Sequence, residues 1–252
     1  MPCSSYDQEN MKQPLSAQGE AQRGILRLTA PRVKPVDVAR YMGLPDLDQP
    51  GAEIEHAIRT AIVHSEPLLK PIAVWSLVPI VSSHPDRVEV LTPEKNLLSI
   101  PCTSTLLRGI SHLQLSLITL GAGLEKLLQQ LYEEDPLTAM ACDAVGSAVL
   151  AMAGAAFIAK RQSALKQMGL ELTITFVPGC QAFPLSAQTA IFKVLQAEQI
   201  GVRLSDACLM HPAKSATSVA PVAAELPVWM KKVSPCRLCN LYKTCRFKAT
   251  KA

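Results

Sequence analysis

Apolar and polar positions alternate along the chain with two different periods, and the period changes at turn residues. Pro35 followed by Asp37, Val38, Ala39, Tyr41 and Met42 predicts a short helix that stops at Gly43. Ile54, Ile58, Ala61 and Ile62 share one face of a second helix, with Glu53, Glu55 and Arg59 elsewhere and Pro67 and Pro71 bracketing its end. Apolar runs at residues 72–80, 88–91, 97–100 and 113–119 are separated by His84-Pro85-Asp86 and Thr92-Pro93-Glu94, and predict short strands. Leu124, Leu127, Leu128 and Leu131 define an amphipathic helix over 124–134. Asp135 and Pro136 then supply an N-cap and a first helical position for a long Ala-rich helix that could reach Gln167. Gly146 and Gly154 remove side chains from that helix, which suits either tight helix packing or the close approach of a ligand.

Residues 172–177 alternate Thr with apolar side chains and predict a strand ending at the Pro178-Gly179 turn. Ser186 can cap a helix to about Gln199, with Gly201 just past its end, and residues 202–204, 208–210 and 215–219 suggest further strands. No repeat of 20 to 50 residues is present. Helices and strands are interspersed without strict βα alternation, so the class is α+β.

Composition narrows this picture. With 252 residues, 48% hydrophobic and 18% charged, the chain can bury a real core. Aromatics are only 4%, and Leu and Ala carry the apolar content, which favours helix-rich packing over a β-sandwich. Three regions follow: a polar, aperiodic N-terminal tail over 1–24, a folded body over 25–230, and a basic Cys-rich tail over 231–252. The C-terminal tail holds Lys231, Lys232, Arg237, Lys243, Arg246, Lys248 and Lys251 and no acid, so the chain's net +4 belongs to the tail and the body is slightly acidic. The basic pI is therefore no argument for a nucleic-acid-binding body. The uncharged stretch 172–192 contains Pro178 and Pro184, and the Ala-rich run 144–159 is short, so no membrane-spanning helix is expected. The N-terminus lacks a charged segment leading into an apolar run, which predicts a cytoplasmic protein whose eight cysteines are thiols or ligands.

Among side chains with chemistry to offer, Cys236, Cys239 and Cys245 stand out. A pair of cysteines three apart with a third after a short loop can close most of a tetrahedral shell, suiting zinc or an iron-sulfur cluster, with Cys180, Cys208 or a partner as fourth ligand. A redox pair and inert thiols are the alternatives. Asp143 is a lone acid in an apolar stretch and should meet a partner or a ligand, unless it faces solvent. His56, His64, His84 and His112 show no metal spacing, whereas His211 lies within the loop signature at 209–215. A phosphate-binding Gly-rich loop, a Ser nucleophile elbow and a His-Glu-x-x-His helix are all absent, which removes the common kinase and hydrolase readings.

Taken in order, Val38-Ala-Arg-Tyr-Met-Gly43, Leu117-Ile-Thr-Leu-Gly121, Asp143-Ala-Val-Gly-Ser147, Val177-Pro-Gly-Cys180, Phe183-Pro-Leu-Ser-Ala-Gln188, Ile200-Gly-Val-Arg-Leu204, Met210-His-Pro-Ala-Lys-Ser215 and the cysteine cluster resemble one family. It is the activation domain of cobalamin-dependent methionine synthase, in particular its small stand-alone, corrinoid-associated relatives. The resemblance implies a C-shaped α+β domain with a twisted antiparallel sheet flanked by helices. It also implies S-adenosylmethionine in a shallow groove, near Asp143, Thr175, Val177, Pro178, Gly179 and Cys180, and a cobalamin carried by a partner. The family usually carries Arg, Tyr and Glu where Thr175, Cys180 and Ala151 stand here, so the groove should make fewer polar contacts.

The function expected is support of the S-adenosylmethionine-dependent reductive reactivation of a cobalamin-dependent methyltransferase. No Asp-x-His-x-x-Gly occurs, so any corrinoid must arrive on a partner, with a reductase as a further candidate partner. One rival is a non-enzymatic corrinoid-protein docking or electron-transfer module that works through its cysteine cluster. A weaker one is a basic zinc tail that binds nucleic acid.

Overall fold

A computed structural model describes residues 20–44, 51–245 and 247. In chain order it contains β1 (Gln22–Arg27), α1 (Pro35–Met42), α2 (Ala52–Ser65), β2 (Ile72–His84), β3 (Arg87–Leu91), β4 (Leu97–Pro101) and β5 (His112–Thr119). There follow α3 (Gly123–Glu134), α4 (Pro136–Gln167), α5 (Ala187–Leu195), β6 (Arg203–Leu204), β7 (Met210–His211), β8 (Ser215–Val222) and α6 (Val228–Lys232). The expected α+β class, with an antiparallel sheet flanked by helices, is what the structure shows.

The sheet is built on β2. One edge of β2 pairs with β5, which pairs in turn with β8. The other edge is shared: β1 pairs with residues 72–77 and, beyond an irregularity between Ile80 and Ser82, β3 takes the rest and leads to β4. Every position of β5 is buried, because both faces of the sheet are covered. On one face Val74, Val78, Leu113, Leu115 and Leu117 pack with Phe183 and with Ile191, Val194 and Leu195 of α5. On the other face lies the second half of α4.

α4 starts where the sequence places it: Asp135 Oδ1 accepts a hydrogen bond from the Thr138 backbone N–H at 3.1 Å, and Pro136 occupies the first turn. Its N-terminal half is enclosed by α1, α2 and α3, in a core that includes Val38, Ile58, Leu124, Ala139, Cys142 and Val145. Its C-terminal half crosses the sheet, where Ala153 and Phe157 meet Ala73 and Ile118, and Leu165 meets Leu77, Ala220 and Val222. By length and composition alone α4 could cross a membrane, but half of its most apolar window is buried inside the protein, as in a core helix.

Three elements differ from expectation. First, β1 begins at Gln22, inside the segment expected to be a tail to residue 24, most of which lies outside the described residues. Gly24 is opposite Trp75, and a Cβ on it would stand 2.8 Å from the indole, so only glycine lets the strand cover that ring. The same indole carries the Arg161 guanidinium of α4, 3.4 Å from the ring centroid, whose Nε donates to Gln114 Oε1 at 2.8 Å. Burial pushes the Arg161 pKa down from its usual value.

Second, residues 172–177 keep their alternation, with Leu172, Ile174 and Phe176 buried, but touch the sheet only through the isolated bridges Glu171 to Ala223 and Phe176 to Val219. Between the bridges the backbone forms no ladder with β8. Third, α5 ends at Leu195, because Gln196 adopts a left-handed conformation (φ 50°), and a short 3-10 turn carries the chain to Gly201.

Replacing Gly24 with Val should overpack Trp75 and lower unfolding free energy by about 1–3 kcal/mol in urea denaturation. An unchanged midpoint would contradict the Gly24–Trp75 contact.

Candidate functional site

α4 presents Ser147, Leu150, Ala151, Gly154, Phe157 and Ile158, at helical spacings of three and four, to a cavity of about 440 Å³. The opposite wall is β5 and β8, through Ser116, Ile118, Ala216, Thr217 and Ser218. The rim comes from Thr175 and Val177 on one side and from Ala213 and Lys214 on the other. The cavity lies beyond the Phe176–Val219 bridge, where β8 continues as Ala216, Thr217 and Ser218 without a further partner from residues 172–177. Gly154 widens it, since a Cβ there would meet no atom within 4 Å. Gly146 serves packing: a Cβ would stand 2.5 Å from Leu124 Cδ2 and 3.1 Å from Lys214 Cε.

The lining is apolar with a few hydroxyls and one charge. Ser116 Oγ and Ser218 Oγ are 2.9 Å apart and satisfy each other across β5 and β8. Thr217, between Ala216 and Ser218 and opposite Leu117, turns its buried side chain to the α5 face of the sheet, so its hydroxyl is not part of this lining. Lys214 is the single charged lining residue. Its Nζ donates to Asp143 Oδ1 at 2.8 Å and to Ser147 Oγ at 2.9 Å, which ties the loop before β8 to α4. Histidine, cysteine and carboxylate side chains are absent from the lining. The arrangement can bind and orient a small molecule, and it holds no obvious nucleophile or general base.

Of the residues expected at the site, Thr175 and Val177 line the cavity, and Ala151 lies on the facing helix. Asp143 does not line it but meets a partner, Lys214, while keeping 44% side-chain exposure. Pro178, Gly179 and Cys180 form a turn outside the cavity, closed by Cys180 N–H to Val177 O (3.2 Å) and Gly179 N–H to Phe183 O (2.8 Å). The C-terminal tail covers that turn: Asn240 Nδ2 donates to Gly179 O at 3.0 Å, and Gln181 N–H reaches Leu238 O at 3.5 Å. His211 is exposed on β7 and lies outside the cavity.

Cys236 sits in a 3-10 turn, Cys239 follows in extended backbone, and the Cys245 N–H donates to Leu241 O at 2.8 Å. Among the described residues no group of three or more His, Cys, Asp or Glu side chains could hold a metal ion. The spacing that suggested zinc or an iron-sulfur cluster is not matched by such a site. Lys214 and Ser147 are the polar residues that sequence reasoning did not single out, although both lie within quoted motifs.

The fold is an antiparallel α+β domain in which one long helix runs from a helical bundle onto a sheet. A solved structure of similar fold is the crystal structure of the MetH reactivation domain bound to AdoHcy, with a TM-score of 0.59 and 14% sequence identity, covering 79% of this chain and 78% of that one. At that identity the likeness is one of fold. No protein-family model and no curated protein matches the sequence.

The thiols of the described residues fall into two groups. Burial pushes the Cys102 thiol up to about 11 and raises that of Cys142, whereas Cys180, Cys208, Cys236, Cys239 and Cys245 are partly exposed. Because the thiolate is the nucleophile, iodoacetamide at pH 8 should label the second group and spare Cys102 and Cys142, as read by peptide mass spectrometry. Labelling of Cys102 as fast as Cys239 would contradict this.

Proposed function

We propose that this chain is a stand-alone reactivation-domain-like protein that holds S-adenosylmethionine, or its demethylated product, between α4 and β8. It would serve a cobalamin-carrying methyltransferase or corrinoid protein, with a reductase as electron donor, in the cytoplasm. The observation that supports this most is the cavity between α4 and β8, in a fold similar to that of a solved domain bound to AdoHcy. The lining suits such a ligand: an apolar surface at Leu150, Phe157 and Ile158 for its body, and hydroxyls at Ser116, Thr175 and Ser218. A bound sulfonium would supply the methyl group to the partner's corrinoid, reduced by the electron donor, and leave as the thioether S-adenosylhomocysteine, while the residues of this chain would contribute position and exclusion of water.

A second reading is a non-enzymatic docking module for a corrinoid protein. It draws support from Thr175 and Ala151, which both face the cavity and offer neither charge nor, at Ala151, any polar atom.

Calorimetric titration with S-adenosylmethionine and S-adenosylhomocysteine separates the two. Saturable binding with a dissociation constant below about 1 mM, roughly −4.1 kcal/mol, supports the first, and no binding supports the second. Gly154→Leu should fill the cavity and weaken binding at least about tenfold. Stability in urea should not fall, because Leu is favoured over Gly in a helix by roughly 0.5–1 kcal/mol. Unchanged affinity in that variant would move the ligand elsewhere.

A further inference from the structure

We propose that Lys214 is the carboxylate-recognising residue of the cavity, so that the ligand class is an apolar or aromatic body carrying a carboxylate. The inference rests on the cavity being the ligand site, as in the proposed function, and adds which part of the ligand this chain selects and with which atom.

Four observations carry it. Lys214 is the single charged residue among those lining the cavity, and its side chain is only 14% exposed. An ammonium has three N–H donors, of which Asp143 and Ser147 take two, leaving one for a ligand. The side chain is held in place along its length. Its stem passes over Gly146, where a Cβ would come within 3.1 Å of Cε, and the backbone oxygen of Lys214 accepts from Leu120 N–H at 3.0 Å. Ser147 Oγ is itself tied to α4, donating to Asp143 O at 3.1 Å.

A lysine fixed in this way is not a solvated surface charge. Asp143, 44% exposed and outside the cavity lining, balances the charge, while Ser147, the other partner of the ammonium, is itself a lining residue, so the ammonium is held at the cavity's border. Phosphate would satisfy the charge but leave the wall at Leu150, Phe157 and Ile158 uncovered. A purely apolar molecule would cover the wall but bury the remaining N–H without an acceptor. A carboxylate on an apolar body meets both requirements, and a hydrogen bond to an ionised group is stronger than a neutral one.

The test compares three probes by calorimetry on the full chain. They are S-adenosylhomocysteine, its analogue lacking only the amine, and methylthioadenosine, which keeps the nucleoside thioether but has no carboxylate. The wild-type protein should bind the first two alike and methylthioadenosine at least about tenfold more weakly. Lys214→Met should erase that preference and Lys214→Arg should keep much of it. Equal binding of methylthioadenosine by the wild type, or a preference that survives in Lys214→Met, would overturn the role of Lys214 while leaving the nucleoside site standing. Binding of none of the three would overturn the proposed function, and the role of Lys214 with it. If circular dichroism shows Lys214→Met unfolded, the wild-type comparison and Lys214→Arg decide.

Discussion

A helix from Pro136 to Gln167 that is apolar on nearly all sides must be covered along its whole length, and most of this structure follows from how that is done. Up to Val149 the burial runs almost all round the helix, because α1, α2 and α3 enclose it. Beyond that point the buried residues are Ala153, Phe157, Arg161 and Leu165, a single stripe of period four that lies on the sheet. The cavity sits where one kind of cover gives way to the other. Neither bundle nor sheet closes over the face formed by Ser147, Leu150, Ala151, Gly154 and Ile158, which lies beside Ala216 and Ser218 beyond the Phe176–Val219 bridge. The site is a gap between two modes of packing.

Two cations are held against this helix, and they are satisfied in different ways. Arg161 spreads its guanidinium on Trp75 and gives Nε to Gln114, so its partners belong to the fold and it fixes α4 on the sheet. Lys214 comes from the loop before β8, is tethered by Asp143 and Ser147 of α4, and borders the cavity. The first is closed to solvent and structural. The second has a donor to spare.

Much of the fold was legible because its signals are local. Pro35 and Gly43 bound α1, Asp135 and Pro136 start α4, and the apolar runs of β2 to β5 appear close to their observed limits. β1 was hidden because Gln22, Arg23 and Gly24 carry no alternation of their own: the strand is defined by Trp75, which lies far along the chain and needs a glycine opposite. Residues 172–177 had the right period, but pairing also requires an adjacent strand edge, and two bridges are all that form. At the site, Thr175 and Ala151 could be placed through the family resemblance, and they do face one cavity. The pairing of Asp143 with Lys214 could not, since it joins α4 to a loop across most of the sheet's connectivity and neither residue predicts the other. The cysteine spacing was the most conspicuous local pattern, and among the described residues it is not matched by a group able to hold a metal ion.

The most direct measurement is a crystal structure of the full chain with S-adenosylhomocysteine. The expected result is the nucleoside between α4 and β8, against Gly154 and Phe157, with its carboxylate within hydrogen-bond distance of Lys214 Nζ. Ligand density at the groove formed by Phe192, Gln196 and Leu204 instead, with the α4 cavity empty, would contradict the assignment of the site.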